Sequence, residues 1–513
     1  MNLKPSEHLS QRQVTTGLNL VVKDGLAAEA MSVLTGGTFL TAMALQLGAS
    51  NFQIGLLAAL PTFTNIFQLL AIWLVQKYNN RRAIAVMANG FARFPLLVIG
   101  LLPFIFTTGT SIQVLIFLLF FHYFFGSVAG ASWNSWMKDL VPENKLGTYF
   151  SHRSRLTQTL NVVLSLVLAL VLDYVKKYYP ASELIAYSLM FIGGGLFGIL
   201  GTYVLSRTPE PKSYLAKENL LKLFSKPVKD TNFRKLLVFN SFWSFALNLA
   251  TPFFTVYMMN TIGLPLSYII GFGILSQLAG IFAIKIWGKY SDQFSNKTII
   301  RIAAPVYILC ILGWSFVMLP SSHTITLFLI GLINVLSGVS TSGINLAISN
   351  IGIKLSPKEE AIVYISARNM IVAFVSASGP LLGGFLADFF STRSFVWNVQ
   401  WNGAHGTSVI HLLELQNWNF LFIIGGLLAI AALKTLGKVK EEGEVEKDVA
   451  VAHMRVVFRN KVKARMNKES ILSMLSFPVT YPIRLKKKVI SRIERRVVNI
   501  RKWNGNLMER KSA

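Results

Sequence analysis

Three ionisable residues, Glu29, Arg93 and His122, lie inside long apolar runs of the sequence. Burying a charge in a bilayer is costly, so each of these side chains is a candidate functional residue. A desolvated carboxylate or imidazole can take up and release a proton near neutral pH, which would suit Glu29 and His122 as proton carriers. Arg93 falls near mid-membrane and needs a carboxylate partner, an anion or a water-filled cavity.

Each of these residues also has a structural interpretation. Glu29 can lie at the membrane interface beside Lys23 and Asp24. Arg93 can form an inward ion pair, for which Glu29 is a candidate partner, although spacing along the chain does not bring the two together. His122 can be a hydrogen-bonded packing residue.

Aromatic and amide side chains recur in the fourth, seventh and tenth apolar runs. The main ones are Trp133, Asn134, Asn240, Trp243, Asn248, Asn334 and Asn345. Aromatic rings combined with amides are typical of sites for a sugar, a nucleoside or another neutral polar solute. Polar residues of this size also promote close packing of membrane helices, so cavity lining and helix packing both remain open for this group.

Twelve apolar stretches are long enough to cross a membrane, since a spanning helix needs about 20 mostly apolar residues. Their approximate limits are 24–47, 52–76, 83–106, 112–136, 156–174, 183–205, 236–260, 265–288, 298–319, 324–350, 366–388 and 417–436. The stretch 366–388 is the weakest, because polar residues, glycine and Pro380 interrupt it. The sequence therefore predicts an all-α, polytopic membrane protein with twelve transmembrane helices.

Most of the charge lies outside these stretches. Only 14% of the 513 residues are charged, yet the formal net charge is +27. Soluble domains carry about 25% charged residues, so an ordinary soluble enzyme is excluded. Lys and Arg cluster in the loops after even-numbered stretches, and such loops stay in the cytoplasm. We therefore predict a protein of the cell membrane with both termini cytoplasmic.

The segment 438–513 contains 20 basic and 8 acidic residues. Within it, four apolar residues recur at four-residue spacing among basic ones: Leu485, Val489, Ile493 and Val497. This pattern predicts an amphipathic helix on anionic lipid headgroups. The alternative is a disordered charged tail that only reinforces the topology. The tail contains no recognisable nucleic-acid-binding module, so no nucleic-acid partner is expected.

The two halves of the chain repeat each other at an offset of 215 residues. The evidence is a cluster of five identities, in which Leu140, Pro142, Tyr149, Ser151 and Arg153 fall on Leu355, Pro357, Tyr364, Ser366 and Arg368. Two scattered pairs also match, Gly48 with Gly263 and Asp173 with Asp388, but matches at this rate are expected by chance. The repeat predicts two pseudo-symmetric six-helix bundles, 24–206 and 236–437, joined by a linker at 207–235 and flanked by segments 1–23 and 438–513.

A motif after the eighth stretch resembles one found in the major facilitator superfamily of secondary transporters. The family pattern is Gly-x-x-x-Asp-x-x-Gly-Arg-Lys, and Gly288, Asp292 and Lys297 match it. The first-half copy, at 73–82, keeps only Arg81 and Arg82, which puts the family's salt-bridge latch in doubt in this half. The resemblance covers the chain from about residue 20 to residue 437.

This resemblance implies a transporter that exposes a central cavity alternately to the two sides of the membrane. It implies gating roles for five loop residues, which are Gly288, Asp292, Lys297, Arg153 and Arg368. For the two arginines the alternative is a role in topology alone. The resemblance also implies that stretches one, four, seven and ten line the cavity, while the third supports it from outside.

The sequence therefore predicts transport of a small solute, coupled to a proton or another ion, by a monomer without cofactor or metal. Two alternatives are an integral membrane transferase with His122 or Asp388 catalytic, and a non-transporting sensor or scaffold that uses the basic tail. The single cysteine, Cys310, excludes an internal disulfide, and no nucleotide-binding or soluble-enzyme motif occurs. The long connection 389–416 is either a lid or a simple hairpin.

Overall fold

The computed structural model describes residues 5–7, 9–142, 145–212, 220–318, 322–357, 361–403, 406–416 and 418–441, with Glu444, Asp448 and Val451. Met1–Glu444 forms one compact unit and Val445–Ala513 a second. The predicted amphipathic segment around Leu485 lies outside the described residues.

Twelve helices in the described part of the chain are long and apolar enough to cross a membrane. Numbered span 1 to span 12, they are Gln11–Gln46, Asn51–Tyr78, Arg81–Ile105, Gly109–Leu140, Thr148–Tyr178, Pro180–Ser206, Thr231–Thr261, Leu266–Ser291, Asn296–Phe316, His323–Lys354, Val363–Phe390 and Trp418–Leu436. This confirms the predicted all-α polytopic fold. Because the number of spans is even, span 1 begins and span 12 ends at one face, which we call the terminus side. The opposite face is the far side.

Several spans differ from their predicted limits, and span 1 differs most. Span 1 begins at Gln11 rather than near residue 24, because Ser10 caps it. The Ser10 hydroxyl accepts the Gln13 N–H at 3.3 Å, and the Gln13 side chain accepts the Ser10 N–H at 2.8 Å. The weakest predicted stretch belongs to one continuous helix, Ala361–Phe390, which contains Pro380. Membrane helices tolerate such a proline because neighbouring helices compensate for the lost backbone bond.

Spans 1 and 2 are interrupted beside the space between the bundles. Span 1 breaks where Gly37 adopts φ +56°, a conformation that favours glycine. Span 2 contains Pro61, followed by a 3₁₀ turn at Thr64–Phe67. Proline removes one backbone donor from the helical ladder, so the axis of span 2 can change there.

The glycine pair of the repeat occupies equivalent turns. Gly48 follows span 1 with φ +78°, and Gly263 follows span 7 with φ +73°. Both conformations lie in the left-handed region, where glycine avoids the strain that a Cβ would bring. This pair is therefore a structural equivalence, and its interpretation as a chance match was wrong.

Two connections contain regular structure of their own. The linker between spans 6 and 7 includes the helix Leu220–Lys229. The connection between spans 11 and 12 contains two antiparallel strands, Ser394–Gly403 and Gly406–Gln416. The backbone of this connection is therefore a β-hairpin on the far side.

A buried glutamate ties each bundle together on the terminus side. Glu210, after span 6, accepts the first two backbone N–H groups of span 3 at 2.9 and 3.0 Å. Glu441, after span 12, accepts the first two of span 9 at 3.3 and 2.8 Å. A carboxylate there satisfies helix N–H groups that have no intrahelical partner and faces the positive end of the helix dipole. Both caps join elements of one bundle.

Candidate functional site

A polar cavity of about 490 Å³, the central cavity, lies between the two bundles. Spans 2, 4, 7, 10 and 11 form its wall, which includes the polar residues Thr62, Asn65, Gln68, Asn134, Asn240, Ser244, Arg368, Asn369 and Ser376. Amide and hydroxyl groups both donate and accept hydrogen bonds. A cavity of this size and chemistry can hold a small polar molecule.

Asn240 is a buried wall residue whose amide has no hydrogen-bond partner among the described residues. Only 2% of its surface is exposed. Neither its Oδ1 nor its Nδ2 atom hydrogen-bonds to another residue in the described part of the chain. Leaving a buried polar group unpaired costs about 1–3 kcal/mol, so each such group needs an explanation. A molecule bound in the central cavity would supply the missing hydrogen bonds.

The start of span 7 fixes the position of Asn240. The Asp230 carboxylate accepts the backbone N–H groups of Asn232 and Phe233, each at 2.9 Å, and so caps the helix. One turn beyond Asn240, Trp243 is 2% exposed and stacks on Phe239, with ring centroids 6.1 Å apart. Trp243 is therefore a buried packing residue of span 7.

Three smaller cavities in the described part of the chain also lie between the bundles. The second cavity, of about 330 Å³, is bounded by spans 1, 2, 4 and 7 and includes Thr38 and Thr255. The third cavity, of about 320 Å³, is bounded by spans 1, 5 and 8 and includes Asn161. The far-side cavity, of about 470 Å³, includes Asp173 and Glu183. All four cavities draw residues from both halves of the chain.

Glu29 borders the third cavity through one hydrogen bond. Its Oε1 atom accepts the Nδ2–H of Asn161 at 2.7 Å, and the Glu29 side chain is half-buried. An ionisable carboxylate thus lies one side chain away from a space between the bundles. This is a suitable place for a group that exchanges a proton during a conformational cycle.

Arg93 lies near Asp24, and the suggested Glu29–Arg93 ion pair is wrong. Asp24 is 9% exposed, and the positive charges of Arg93 and Arg153 both act on it. Arg93 also donates to Oδ1 of Asn89 at 3.0 Å. Five residues separate Asp24 from Glu29, a rotation of about 140° around a helix, so the two carboxylates meet different neighbours.

Glycines make room for this charged cluster inside the first bundle. A Cβ added to Gly25 would lie 2.6 Å from Nε of Arg153, and one added to Gly198 would lie 2.7 Å from Cδ of Arg93. Span 6 thus closes over Arg93 from one side. The placement favours the structural interpretation of Arg93, a buried cation compensated within its own bundle.

His122 belongs to span 4 and packs against span 3. Its Nδ1 atom lies 2.7 Å from the carbonyl oxygen of Ala92, and its ring meets that of Tyr123 edge-on with centroids 5.0 Å apart. The residue is 8% exposed. These contacts favour the packing interpretation over a catalytic or proton-carrying role.

Of the remaining aromatic and amide candidates, four do not belong to the central cavity wall. The guanidinium carbon of Arg153 lies over the Trp133 ring, 5.1 Å from the centroid of that ring. Asn248 packs against the backbone of span 11. Asn334 donates to a carbonyl of its own helix at 2.9 Å, and Asn345 is exposed.

The family motif ties span 9 to the segment after span 12. Lys297 is 3% exposed, and its Nζ donates to the Val439 carbonyl at 2.6 Å and pairs with Glu444 at 2.8 Å. Gly288 and Asp292 both lie in the helix Leu266–Phe294, which contains span 8. The side chain of Asp292 lies outside the described part of the structure. The observed contacts of Lys297 stay within the second bundle.

The degenerate first copy of the motif still forms ion pairs. Arg81 is 1% exposed and pairs with Asp139 on span 4 and with Glu210 at 3.1 Å. Arg81 thus forms ion pairs in this half, but both lie on the side of the first bundle and do not establish the family's latch. Arg368 on span 11 donates to the Ile348 carbonyl on span 10 at 2.9 Å.

A sequence model of the Major Facilitator Superfamily matches residues 25–351. The chain belongs to the major facilitator superfamily. It is therefore a multi-pass membrane protein and a secondary transporter of a small solute. No curated protein matches the sequence.

The fold is similar to those of several solved transporters. The nucleoside transporter NupG superposes with a TM-score of 0.57 at 12% identity, covering 84% of this chain and 100% of that one. A D-xylose–proton symporter gives a TM-score of 0.57 at 15% identity, covering 84% and 100%. A bacterial homologue of the iron transporter ferroportin, in an inward-facing state, gives 0.55 at 13% identity, covering 84% and 99%. At these identities the likeness shows the fold alone.

Proposed function

We propose that the chain carries a small, neutral, polar solute through the central cavity, where the solute hydrogen-bonds to Asn240. The observation that carries this proposal is the buried Asn240 amide, whose donor and acceptor are both free among the described residues. The rest of the wall is mostly uncharged amides and hydroxyls. A neutral solute with several hydroxyl or amide groups fits such a wall, because each group can find a partner without desolvating a net charge.

Arg368 is the one charged residue of this wall among the described residues, and its guanidinium is hydrogen-bonded to neutral acceptors. Its Nη1 already donates to the Ile348 carbonyl at 2.9 Å, and its Nη2 donates to Oδ1 of Asn369 at 3.1 Å.

A thermal-shift screen of the purified protein tests the class of solute. Neutral sugars and nucleosides should raise the melting temperature of the wild type, since a ligand at 100 times its Kd stabilises the folded state by about 2.7 kcal/mol. The same solutes should not stabilise Asn240→Leu. Stabilisation by anionic or cationic solutes alone would contradict the proposal, as would equal stabilisation of the variant.

We further propose that transport is coupled to a proton carried by Glu29. In proteoliposomes, an imposed pH gradient should drive accumulation of the solute by the wild type. Glu29→Gln should abolish this accumulation but retain exchange of solute down its own gradient, because glutamine keeps the contact with Asn161 but cannot release a proton.

A matched control for this test is Glu183→Gln. Glu183 also accepts one hydrogen bond from a side-chain amide, that of Gln46 at 2.8 Å, and is 8% exposed, but it lines the far-side cavity and not the third cavity beside Glu29. This variant should remain coupled. Uptake by the wild type that is indifferent to the pH gradient would exclude the coupling, and uncoupling by both variants would remove Glu29 from its role.

We infer that the protein resides in the cell membrane as a monomer without enzymatic activity, with the terminus side in the cytoplasm. The charge of the loops supports this orientation, because the basic loops after even-numbered spans lie on the terminus side. Epitope tags at both termini should become accessible to antibody only after the membrane is permeabilised. A tag that is accessible on intact cells would reverse the orientation. With the terminus side in the cytoplasm, the basic tail would lie on the same side as the anionic cytoplasmic leaflet, as its composition predicts.

A further inference from the structure

Two aspartates at the far side connect the bundles to each other. At the end of span 5, Oδ1 of Asp173 accepts the backbone N–H of Leu266 at 2.8 Å, and Oδ2 accepts that of Ser267 at 2.9 Å. Leu266 and Ser267 are the first two residues of span 8. Both oxygens of a carboxylate in the first bundle therefore bind the start of a helix in the second.

The reciprocal contact is made by Asp388 at the end of span 11. Its Oδ1 accepts the backbone N–H of Asn51 at 3.1 Å, and its Oδ2 accepts that of Phe52 at 2.9 Å. These are the first two residues of span 2. The local cap of span 2 is Ser50, which accepts the N–H of Gln53, so Asp388 takes two N–H groups that Ser50 leaves free.

The repeat relates the two contacts to each other. The offset of 215 residues carries Asp173 to Asp388 and Asn51 to Leu266. Donor and acceptor are thus equivalent in both halves, and the interpretation of the aspartate pair as a chance match was wrong. Asp388 also loses its suggested catalytic role, because both its oxygens are engaged by helix N–H groups. The same contact is built twice, symmetrically, across the interface between the bundles.

Backbones meet closely beside one of these contacts. A Cβ added to Gly384 would lie 2.6 Å from the carbonyl oxygen of Asn51, and one added to Gly55 would lie 2.2 Å from that of Pro380. Spans 2 and 11 therefore touch at glycines near the far side. The far side is closed there, while the central cavity lies toward the terminus side.

The chemistry of the contact suits repeated opening. The first N–H groups of a helix have no intrahelical partner, and together with the helix dipole they attract a carboxylate. Asp173 and Asp388 are both half-buried at the ends of their spans. When the bundles separate, water can solvate the carboxylate and the N–H groups, so neither is left buried without a partner. Glu210 and Glu441 make the same kind of cap, but they are 1% and 6% exposed and lie within single bundles.

We propose that Asp173 and Asp388 are positioning residues of the transport cycle, which hold the far side closed through the starts of spans 8 and 2. Release of both caps accompanies opening of the cavity to the far side. This inference goes beyond the identity of the solute and of the coupling ion. It assigns the far-side closure to a pair of charge–helix contacts, whereas the family motif residue Lys297 binds within one bundle.

Cysteine labelling tests this proposal without any solute, so a failure here is distinguishable from a wrong solute. Replacing the buried Cys310 with alanine gives a cysteine-free chain. One reporter is Thr38→Cys, in the second cavity, and the other is Asn134→Cys, in the central cavity. A membrane-impermeant maleimide is applied from the far side to label the Thr38→Cys reporter. It is applied from the terminus side to label the Asn134→Cys reporter.

Asp173→Asn and Asp388→Asn should each raise the far-side labelling rate of the Thr38→Cys reporter by about tenfold and the double variant by more, as expected for loss of a charged helix cap. Labelling of the Asn134→Cys reporter from the terminus side should fall in the same variants. A purely structural role would not move the two rates in opposite directions.

Glu210→Gln and Glu441→Gln are the matched controls, since each weakens a carboxylate cap within one bundle. Either control, whichever folds, should leave the ratio of the two labelling rates unchanged. The proposal is overturned if the aspartate variants leave both rates unchanged, if both rates rise together, or if a control shifts their ratio as far as Asp173→Asn does.

Discussion

Replacing Asn240 with leucine is expected to lower kcat/KM for transport by about 100-fold or more, because a site built to hydrogen-bond its ligand loses discrimination and affinity together. The same change should leave the free energy of unfolding unchanged or raise it by about 1 kcal/mol. Leucine has the branched shape and the number of side-chain heavy atoms of asparagine, and it removes a buried amide that has no partner among the described residues. Initial uptake rates and thermal melting, measured on the same preparation, check both parts.

Asn334→Leu is the matched control for this prediction. The Asn334 amide donates to the Ile330 carbonyl in its own helix, and the residue does not belong to the central cavity wall. Transport by this variant should remain within about twofold of the wild type, as is usual for a substitution that touches neither the site nor a buried network. Equal losses in both variants would mean that amides in these spans support the fold, and Asn240 would lose its assigned contact.

Replacing Asp24 with asparagine is expected to destabilise the protein by about 1–3 kcal/mol, because it removes a buried carboxylate on which nearby cations act without a direct salt bridge among the described residues. The charges of Arg93 and Arg153 act on Asp24, and Nε of each arginine has no hydrogen-bond partner within the described residues. The variant would therefore leave two arginines inside the first bundle without a compensating charge. Folded yield and melting temperature after purification measure this effect.

A second substitution separates charge balance from packing. Adding Arg93→Met to Asp24→Asn should recover much of the lost stability, because replacing a buried ion pair by apolar groups is often neutral. Glu29→Gln, which alters a carboxylate outside this cluster, should cost far less. If the double variant is less stable than Asp24→Asn alone, the cluster is held by contacts other than charge.

The twelve spans were predictable from the sequence because they depend on length and apolar composition, and the repeat because five residue identities cluster at one offset. The sequence did not place the start of span 1, where the Ser10–Gln13 capping box extends the helix through polar residues. The signal was present as Ser-x-x-Gln, but a membrane-length criterion does not respond to it. Helix ends depend on such local bonds more than on hydropathy.

The candidate site was predictable by residue type and much less by position. Asn134 and Asn240 reach the central cavity, whereas Asn334 bonds to its own helix, and no composition rule separates these cases. The rotation of each helix about its axis decides which amide faces the cavity, and that rotation is set by packing with other spans. The choice of Asp24 over Glu29 as the carboxylate facing Arg93 follows from the same rotation.

The far-side aspartates show what a single sequence conceals. Asp173 and Asp388 matched at the repeat offset, but a lone identity carries no statistical weight. Their partners are backbone N–H groups, which have no side-chain signature in the sequence. Contacts of this kind become visible only when the starts of spans 2 and 8 are placed in space.

Counterflow in proteoliposomes tests most directly whether a neutral polar solute moves through the central cavity. In the cysteine-free chain, Asn134→Cys and Asn345→Cys form a pair, since Asn134 lines the cavity and Asn345 is exposed outside its wall. Both variants should exchange a labelled neutral solute without any ion gradient, and a bulky maleimide should stop exchange only in Asn134→Cys. Exchange that survives alkylation at Asn134→Cys, or counterflow confined to charged solutes, would contradict this account.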